Sequence, residues 1–358
     1  MELALYAPGL GYYSAGRRRF GIGGDFITAP ELSPLFARCL ARQCVEILEG
    51  MEDGVILEFG AGSGVLAREL LAALEALDVL PAAYFILEPS AALREEQEAT
   101  LRKAHPRLMD RIHWLTALPR EGLRGIVLAN EVLDAMPVHR LRWRNGAFVE
   151  LYVDAPGEEG LTLVEGPLSH PALEAAPRRF AGGFPEGYTC EVNPAAGAWV
   201  RSLSGVLAEG VALLIDYGYP AAEYYHPQRR DGTLMCYYRH RAHDDPLCLP
   251  GLQDITAHVD FTALAEAAVD AGLEVAGYAT QSAFLQGCGI AELGAAAMSA
   301  GDTRQQVELA RQLRTLLLPG EMGEAFKVLA LARKRPGPLT GFSVRDERGR
   351  LAPMVGGA

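Results

Sequence analysis

Residues 55–67 read VILEFGAGSGVLA, and this stretch decides the fold. Its first five residues are apolar apart from Glu58 and predict a short buried strand, and Gly60, Gly62 and Gly64 predict a tight turn. Leucines then recur at helical spacing, which predicts a helix over 65–77. A strand, a glycine-rich turn and a helix in this order are typical of the first unit of a Rossmann-like sheet.

The same alternation of strands and helices continues along the chain. Short runs that are apolar throughout indicate strands covered on both faces, as in parallel sheets. We therefore predict an α/β fold with about seven core strands. Further strands are predicted at 84–87, 111–115, 125–129, 211–215, 273–278 and 326–332, and helices at 35–48, 90–103, 194–207 and 261–271.

Composition shifts divide the chain into segments. Alternating apolar and polar residues around Asn145-Gly146 predict an antiparallel insertion within the parallel core. The second half of the core carries a long polar loop, 219–250, and a helical insertion, 281–320. The predicted segments are an N-terminal cover (1–50), the first part of the core (51–139), the insertion (140–193), the second part of the core (194–335) and a tail (336–358).

The charge balance limits the classes of partner. The chain has 33 Lys and Arg residues against 45 Asp and Glu residues, a net charge of -12, and its basic clusters at 17–19 and 229–230 are short. Binding of nucleic acid is therefore disfavoured. No apolar run approaches the roughly 20 residues that span a bilayer, and no secretory signal begins the chain. We expect a cytoplasmic protein without a membrane span.

A grouping of cysteines and histidines raises the question of a metal. Cys236, His240, His243 and Cys248 lie close together in the sequence. Their spacings match no common zinc pattern well, so structural or polar-loop roles are favoured. We predict no metal site.

The glycine turn fits two classes of cofactor. Residues 62–67 satisfy the loose dinucleotide pattern G-x-G-x-x-A, and residues 58–64 satisfy E-x-G-x-G-x-G. Glu58 would repel a pyrophosphate but attract the sulfonium and ammonium groups of S-adenosylmethionine, and Glu88, after the second strand, could bind ribose hydroxyls. We predict that Glu58, Gly60, Gly62, Gly64 and Glu88 bind S-adenosylmethionine. Two alternatives stay open: an NAD-linked oxidoreductase, or acids that are merely solvated strand ends.

Longer stretches point to a family. Residues 57–67 (LEFGAGSGVLA), 86–97 (ILEPSAALREEQ) and 128–140 (LANEVLDAMPVHR) resemble the MidA family of class I methyltransferases. The resemblance implies a seven-stranded sheet with an antiparallel last strand, and methylation of a protein by S-adenosylmethionine. The mitochondrial relatives act on an arginine in a subunit of respiratory complex I, and relatives usually have a further helix before the first residue of this chain. The resemblance also covers 24–36, 191–199, 215–246, 251–261 and 320–334.

An arginine acceptor requires acids in its pocket, because a guanidinium is fully protonated at neutral pH and must be oriented and relieved of a proton. Glu131 is the leading candidate, with Asn130 and Asp134 beside it, since they follow the fourth core strand. For Asp134 the alternative is a helix N-cap, and for Glu131 a surface charge. Glu191 and Asp216 are the fallback acids.

The predicted function is thus a protein-arginine methyltransferase with an unidentified protein substrate. From the resemblance, we expect Thr28, Pro30 and Glu31 in the N-terminal cover to close over the cofactor. The polar loop 219–250 is interpreted as facing the substrate, with internal pairing of arginines and aspartates as the structural alternative. A non-catalytic assembly factor stays an alternative, although the intact glycines count against it, and a homodimer is left open.

Overall fold

The computed structural model of the protein describes residues 1–15, 27–119, 122–157, 160–178, 183–334 and 337–352. The basic cluster at Arg17, Arg18 and Arg19 lies outside the described residues, as do parts of the predicted cover and tail.

The strands follow the predicted order closely. The core strands include the predicted runs, with small shifts at their ends. Of the other strands, β5 to β8 lie in or at the edge of the insertion, β10 and β11 lie in the polar loop, and β12 and β13 follow that loop. The strands are β1 (Val55–Phe59), β2 (Tyr84–Leu87), β3 (Ile112–Leu115), β4 (Leu123–Asn130), β5 (His139–Arg144), β6 (Ala147–Asp154), β7 (Thr162–Gly166), β8 (Thr189–Val192), β9 (Leu207–Tyr219), β10 (Met235–Tyr238), β11 (Arg241–His243), β12 (Asp254–Thr256), β13 (Val259–Asp260), β14 (Glu274–Thr280) and β15 (Phe326–Arg333).

Several helices begin at a residue whose side chain caps the first turn. Ser90, for example, accepts a hydrogen bond from the Leu93 amide at the start of the helix that was predicted there. The helices are α1 (Glu2–Tyr6), α2 (Ala29–Leu32), α3 (Pro34–Leu48), α4 (Val65–Ala76), α5 (Ala91–Ala104), α6 (Ala175–Arg178), α7 (Pro194–Val206), α8 (Ala221–Tyr224), α9 (Phe261–Asp270), α10 (Gln281–Gly287), α11 (Ile290–Ala300), α12 (Thr303–Leu317) and α13 (Met322–Ala325).

The central sheet has the strand order β14-β15-β9-β4-β1-β2-β3, with the short β13 paired to β9. Strands β3, β2, β1, β4 and β9 are parallel, whereas β15 runs antiparallel to both β9 and β14. The predicted α/β fold, with a seven-stranded, mostly parallel sheet and an antiparallel last strand, is confirmed.

Helices cover both faces of this sheet, which explains why its strands are apolar on both sides. Ile56 of β1 packs into a core shared with α3, α4 and α10, and its neighbour Leu57 packs into the opposite core with α7 and α9. Successive side chains of each strand therefore pack into two hydrophobic cores, one on each face of the sheet. The carboxyl ends of the parallel strands lie at the same edge of the sheet.

Two smaller sheets account for the inserted segments. The predicted antiparallel insertion forms the sheet β7-β6-β5-β8, to which the unpredicted strand β8 contributes. The interpretation of 219–250 as an irregular loop is wrong in part, because β10 and β11 form a sheet with β12. The pairing partner β12 lies outside that loop, so the local pattern within the loop could not show it. The division of the chain into segments stays a prediction.

The described part of the tail packs against the core, although the sequence left it unassigned. The Phe342 ring lies so close to Gly277 that a Cβ at that position would be 2.5 Å from the ring. The Glu347 amide donates to the Tyr278 carbonyl over 2.6 Å. Among the described residues, no helix combines the length and apolarity that crossing a bilayer requires.

The closest backbone approach in the sheet gives a test of the fold. Gly210 on β9 has φ +131°, and a Cβ there would lie 1.9 Å from the Gly125 carbonyl oxygen of β4. We expect Gly210→Ala to lower the free energy of unfolding by about 3 kcal/mol, because it adds backbone strain and a clash. Urea denaturation followed by circular dichroism measures the change.

Gly205 provides the matched control. It lies in α7, and a Cβ there would meet no atom within 4 Å. Gly205→Ala should therefore raise stability by up to about 1 kcal/mol. A loss of less than about 1 kcal/mol for Gly210→Ala would contradict the described packing of β9 against β4.

Candidate cofactor and acceptor site

A cavity of about 620 Å³ opens at the carboxyl ends of β1, β2 and β4. The chain runs from β1 outward through β2 to β3 and then returns to β4 on the other side of β1, so the cavity lies where the strand order reverses. Open α/β sheets bind their ligands at this position. Residues of α1, α2, β10 and β12 close the cavity from above.

The glycine turn adopts a conformation that other residues rarely take. Gly60, Gly62 and Gly64 have φ values of +60°, +54° and +77°, in the left-handed region. Gly60 and Gly62 line the cavity, but Gly64 is not among its lining residues. A Cβ at Gly64 would lie 3.2 Å from Cα of Gln97, so Gly64 serves the close packing of α5 on the turn.

The two acids predicted for the cofactor both line the cavity. Glu58 is the last residue but one of β1, is 3% exposed and accepts a 2.7 Å hydrogen bond from the Tyr84 hydroxyl. Burial raises the pKa of Glu58 to about 7, against the opposing effect of the Tyr84 hydrogen bond. Glu88 follows β2 and accepts hydrogen bonds from the Ser90 amide over 3.0 Å and from the Gln97 side chain over 3.2 Å.

The predicted acceptor residues follow β4 at the other end of the cavity. Glu131 has φ +53°, which is uncommon for a residue with a Cβ, and its amide donates to the Ile215 carbonyl over 2.9 Å. The Asn130 side chain donates to the Glu131 carboxylate over 3.1 Å. Burial raises the pKa of Glu131 to about 8, assisted by the charge of Asp134. Glu131 is therefore no mere surface charge.

Asp134 is buried beside Glu131. Its carboxylate accepts a hydrogen bond from the Tyr217 hydroxyl, and its Oδ1 atom has no hydrogen-bond partner among the described residues. Burial raises the pKa of Asp134 to about 6. The N-cap alternative is wrong, because no helix lies between β4 and β5.

The fallback acids lie outside the cavity and bind backbone groups. Asp216 is fully buried and accepts hydrogen bonds from the amides of Leu133 and Asp134 over 2.9 and 3.2 Å. Glu191 accepts from the Thr233 amide over 2.7 Å and from Arg140 over 3.2 Å. Asp216 thus shapes the segment that carries the acceptor residues, and neither acid faces the acceptor.

The N-terminal cover reaches the cavity, and its closing over the cofactor stays a prediction. Thr28, Pro30 and Glu31 line the cavity, and the Ser63 hydroxyl of the glycine turn donates to Glu31 over 2.7 Å. This hydrogen bond joins α2 to the glycine turn at one end of the cavity.

Several lining residues were missed by the sequence reasoning. The Tyr13 hydroxyl donates to Asp254 over 3.1 Å, which joins the start of the chain to β12. These residues come from segments far apart in sequence and share no spacing, so only the long family-like stretches could have indicated some of them. The missed residues are Tyr6, Tyr13, Tyr217, Tyr237, Asp254, Thr256 and His258.

The charged side chains that line the cavity are acidic. No lysine or arginine is found among the lining residues in the described part of the chain. His258 stays neutral near pH 7, because burial and Arg229 lower its pKa to about 4. A site of this kind favours cationic ligands and disfavours phosphates. The acids of the lining are Glu31, Glu58, Glu88, Glu131, Asp134 and Asp254.

The cysteine and histidine grouping in the polar loop comes together only in part, with Sγ of Cys248 lying 4.0 Å from Nε2 of His243. Cys236 and His243 face each other across β10 and β11, and Cys248 donates to Gln253 over 3.4 Å. Over the described ranges, no three His, Cys, Asp or Glu side chains lie together as metal ligands.

Comparison with known proteins shows which family the chain belongs to. The model of a family described as S-adenosyl-L-methionine-dependent methyltransferases matches residues 39–279. The chain belongs to this family. A crystal structure of a relative from Burkholderia thailandensis, which is bound to S-adenosyl-homocysteine, has 44% sequence identity and a TM-score of 0.92. The similarity covers 97% of this chain and 90% of that one.

Curated relatives carry a more specific name. The Danio rerio protein called protein arginine methyltransferase NDUFAF7, mitochondrial, is 30% identical, and the match covers 92% of this chain and 82% of its own length. The Homo sapiens protein of the same name is 28% identical, with 92% of this chain and 78% of its own length covered.

The cavity fits the cofactor of the family. S-adenosylmethionine, when bound, supplies an activated methyl group on a positively charged sulfur. Gly60 and Gly62 present backbone without side chains, Glu58 offers negative charge, and Glu88 offers carboxylate oxygens to hydroxyl groups. The alternative of an NAD-linked oxidoreductase is wrong, since the chain belongs to a family of methyltransferases. In addition, the described lining residues include no lysine or arginine that could bind the pyrophosphate of NAD.

Glu88 gives the first test of this site. We expect Glu88→Gln to weaken binding of S-adenosyl-homocysteine roughly 10- to 100-fold, because hydrogen bonds to a charged group contribute about 1.5 to 3 kcal/mol. Isothermal titration calorimetry measures the affinity. Glu98→Gln is the control, since Glu98 lies on α5, the helix that follows Glu88, but pairs with Arg102 at the surface. Equal affinities for the two variants would remove Glu88 from the site.

Glu131 makes the stability of the ligand-free protein depend on pH. Its folded pKa of about 8 lies above its ordinary value of 4.5, so between these values the folded protein holds a proton that the unfolded chain has lost. The free energy of unfolding therefore falls as the pH rises through this window. We expect the fall between pH 6.5 and 8 to be smaller in Glu131→Gln by about 1 kcal/mol.

Urea denaturation at the two pH values measures this difference, with Glu98→Gln as the control. Parallel losses of stability in wild type and Glu131→Gln would show that Glu131 does not carry the raised pKa.

Proposed function

We propose that this methyltransferase transfers the methyl group to a guanidinium nitrogen of an arginine in a protein substrate. One observation carries the proposal: the acceptor end of the cavity presents Glu131, Asp134 and Asp254, with no lysine or arginine among the described lining residues. A fixed planar cation is the side chain that such a pocket suits best. The names of the Danio rerio and Homo sapiens relatives support the same acceptor.

The chemistry assigns a task to each acid. A guanidinium is always charged in proteins, so its orientation depends on acceptors placed around its N–H groups. Asn130 and Asp134 each have a buried oxygen without a hydrogen-bond partner among the described residues. As the new nitrogen–carbon bond forms, the bond from the methyl group to sulfur breaks and S-adenosyl-homocysteine is left. One N–H proton must also leave, and the ionised Glu131 carboxylate is the proposed acceptor for it.

The raised pKa of Glu131 suits this task. Without a ligand, burial holds a proton on Glu131 near neutral pH. An arriving guanidinium favours the ionised form, because an opposite charge at contact distance lowers the pKa of a carboxyl. The carboxylate would thus be charged when the acceptor is in place and able to take a proton afterwards.

The cover and the polar loop would exclude water from the reaction. Thr28, Pro30 and Glu31 lie over the glycine turn, and Tyr237 from β10 reaches the cavity. The position of Tyr237 supports the interpretation of 219–250 as a segment that faces the substrate.

The cellular setting stays a prediction. The names of the Danio rerio and Homo sapiens relatives place those proteins in mitochondria, and so give no support to the cytoplasmic location expected here. The identity of the protein substrate and the oligomeric state, for which a homodimer was left open, likewise await experiment.

The test begins by identifying the acceptor. Mass spectrometry of methylated proteins from cells with and without this gene identifies the substrate, and a peptide around the modified residue then serves for assays with purified protein. We expect Glu131→Gln to lower single-turnover transfer roughly a hundredfold or more, because it removes an electrostatic positioning group. The affinity for S-adenosyl-homocysteine should change less than about threefold.

Asp134→Asn separates the two acids. Loss of transfer in Asp134→Asn alone would assign the main role to Asp134, and wild-type rates in both variants would contradict the acidic acceptor pocket. A modified residue other than arginine would overturn the proposed acceptor. Wild-type protein that binds S-adenosyl-homocysteine but leaves the methylation pattern of the cell unchanged would favour the non-catalytic assembly factor.

A further inference from the structure

Gln97 is a fully buried polar residue in the middle of α5. A buried amide is unfavourable unless hydrogen bonds replace the water that it loses. The exposed side of this helix carries charged residues, so Gln97 lies on the face that packs against the sheet edge near the cavity. Its side chain is not among the groups that line the cavity.

The hydrogen bonds of Gln97 join three elements of the site. Its Nε2 donates to the Gly62 carbonyl over 2.9 Å and to Oε2 of Glu88 over 3.2 Å. Its Oε1 accepts from Nε1 of Trp114 on β3 over 3.0 Å. One amide thus connects the turn after β1, the acid after β2 and the edge strand β3.

Gly64 makes this arrangement possible. A Cβ at Gly64 would lie 3.2 Å from Cα and 3.4 Å from Cγ of Gln97. Only a residue without a side chain lets α5 approach the turn closely enough for the amide to reach the Gly62 carbonyl.

We propose that Gln97 is a positioning residue that holds the Glu88 carboxylate in the orientation needed to bind the ribose of the cofactor, and so sets the selectivity of the site for that ribose. The proposal rests on the predicted role of Glu88. The Ser90 amide binds Oε1 of Glu88 and Gln97 binds Oε2, so the carboxylate is held at both oxygens at the wall of the cavity. A group held in this way loses little freedom on binding its ligand.

The decisive variant is Gln97→Met, which keeps a similar shape and removes both hydrogen-bonding functions. Calorimetry compares the binding of S-adenosyl-homocysteine with that of its 2′-deoxy analogue. We expect the affinity for S-adenosyl-homocysteine to fall roughly tenfold or more and the affinity for the analogue to fall less than about threefold. The selectivity for the ribose hydroxyl should therefore largely disappear.

Gln43 provides a matched control for a purely structural effect. It is also fully buried, and it bonds Glu46 over 2.8 Å and the Gly341 amide over 2.8 Å. Gln43→Met should destabilise the fold without changing the ratio of the two affinities. Should Gln97→Met fail to fold, Trp114→Phe replaces it, because it removes the bond that orients Oε1 of Gln97 and should reduce the ratio in the same direction.

A double-mutant cycle separates this proposal from the role of Glu88. In a Glu88→Gln background, Gln97→Met should lower the affinity for S-adenosyl-homocysteine less than about threefold, because the group that it positions is gone. Equal losses for both ligands in Gln97→Met, or the same loss with and without Glu88, would overturn the positioning role. Unchanged binding in Glu88→Gln itself would instead refute the role of Glu88.

Discussion

Six carboxyl groups converge on one cavity, and no lysine or arginine among the described lining residues balances them. This concentration of carboxyl groups governs which ligands the site can hold. Burial keeps protons on Glu58 and Glu131 near neutral pH, so the ligand-free cavity avoids much of its own repulsion. A cationic ligand removes the need for those protons. The same chemistry therefore accounts for the cofactor at one end and the proposed arginine at the other.

The fold builds this cavity from strand ends. Glu58 and Glu88 lie at the ends of β1 and β2. Glu131 follows β4, on the other side of the point where the strand order reverses. The carboxylate of Asp216, at the end of the neighbouring β9, binds the amides of Leu133 and Asp134 and so shapes the acceptor segment without facing it. Glu131, with its positive φ, lies in the same segment between β4 and β5. Strain of this kind is sustained where surrounding bonds fix the backbone.

Much of this could be predicted from the sequence, because local patterns carry it. The apolar runs predicted the core strands. The residues at or just after the ends of β1, β2 and β4 supplied seven of the lining residues: Glu58, Gly60, Gly62, Glu88, Asn130, Glu131 and Asp134. Contacts between residues far apart in the sequence could not be predicted from local patterns. Strand β10 pairs with β12 across a loop, and Tyr13 meets Asp254 from the opposite end of the chain. The packing role of Gly64 also depends on Gln97, which the glycine pattern does not include.

A crystal structure of the complex with S-adenosyl-homocysteine tests the central claim most directly. We expect ribose hydroxyl oxygens at about 2.6 to 2.9 Å from the Glu88 carboxylate, as is typical of charge-assisted hydrogen bonds. We also expect the amino acid part of the ligand to lie along the glycine turn near Glu58 and the sulfur to face the segment from Asn130 to Asp134. A ligand bound outside this cavity, or one whose ribose lies away from Glu88, would contradict the account.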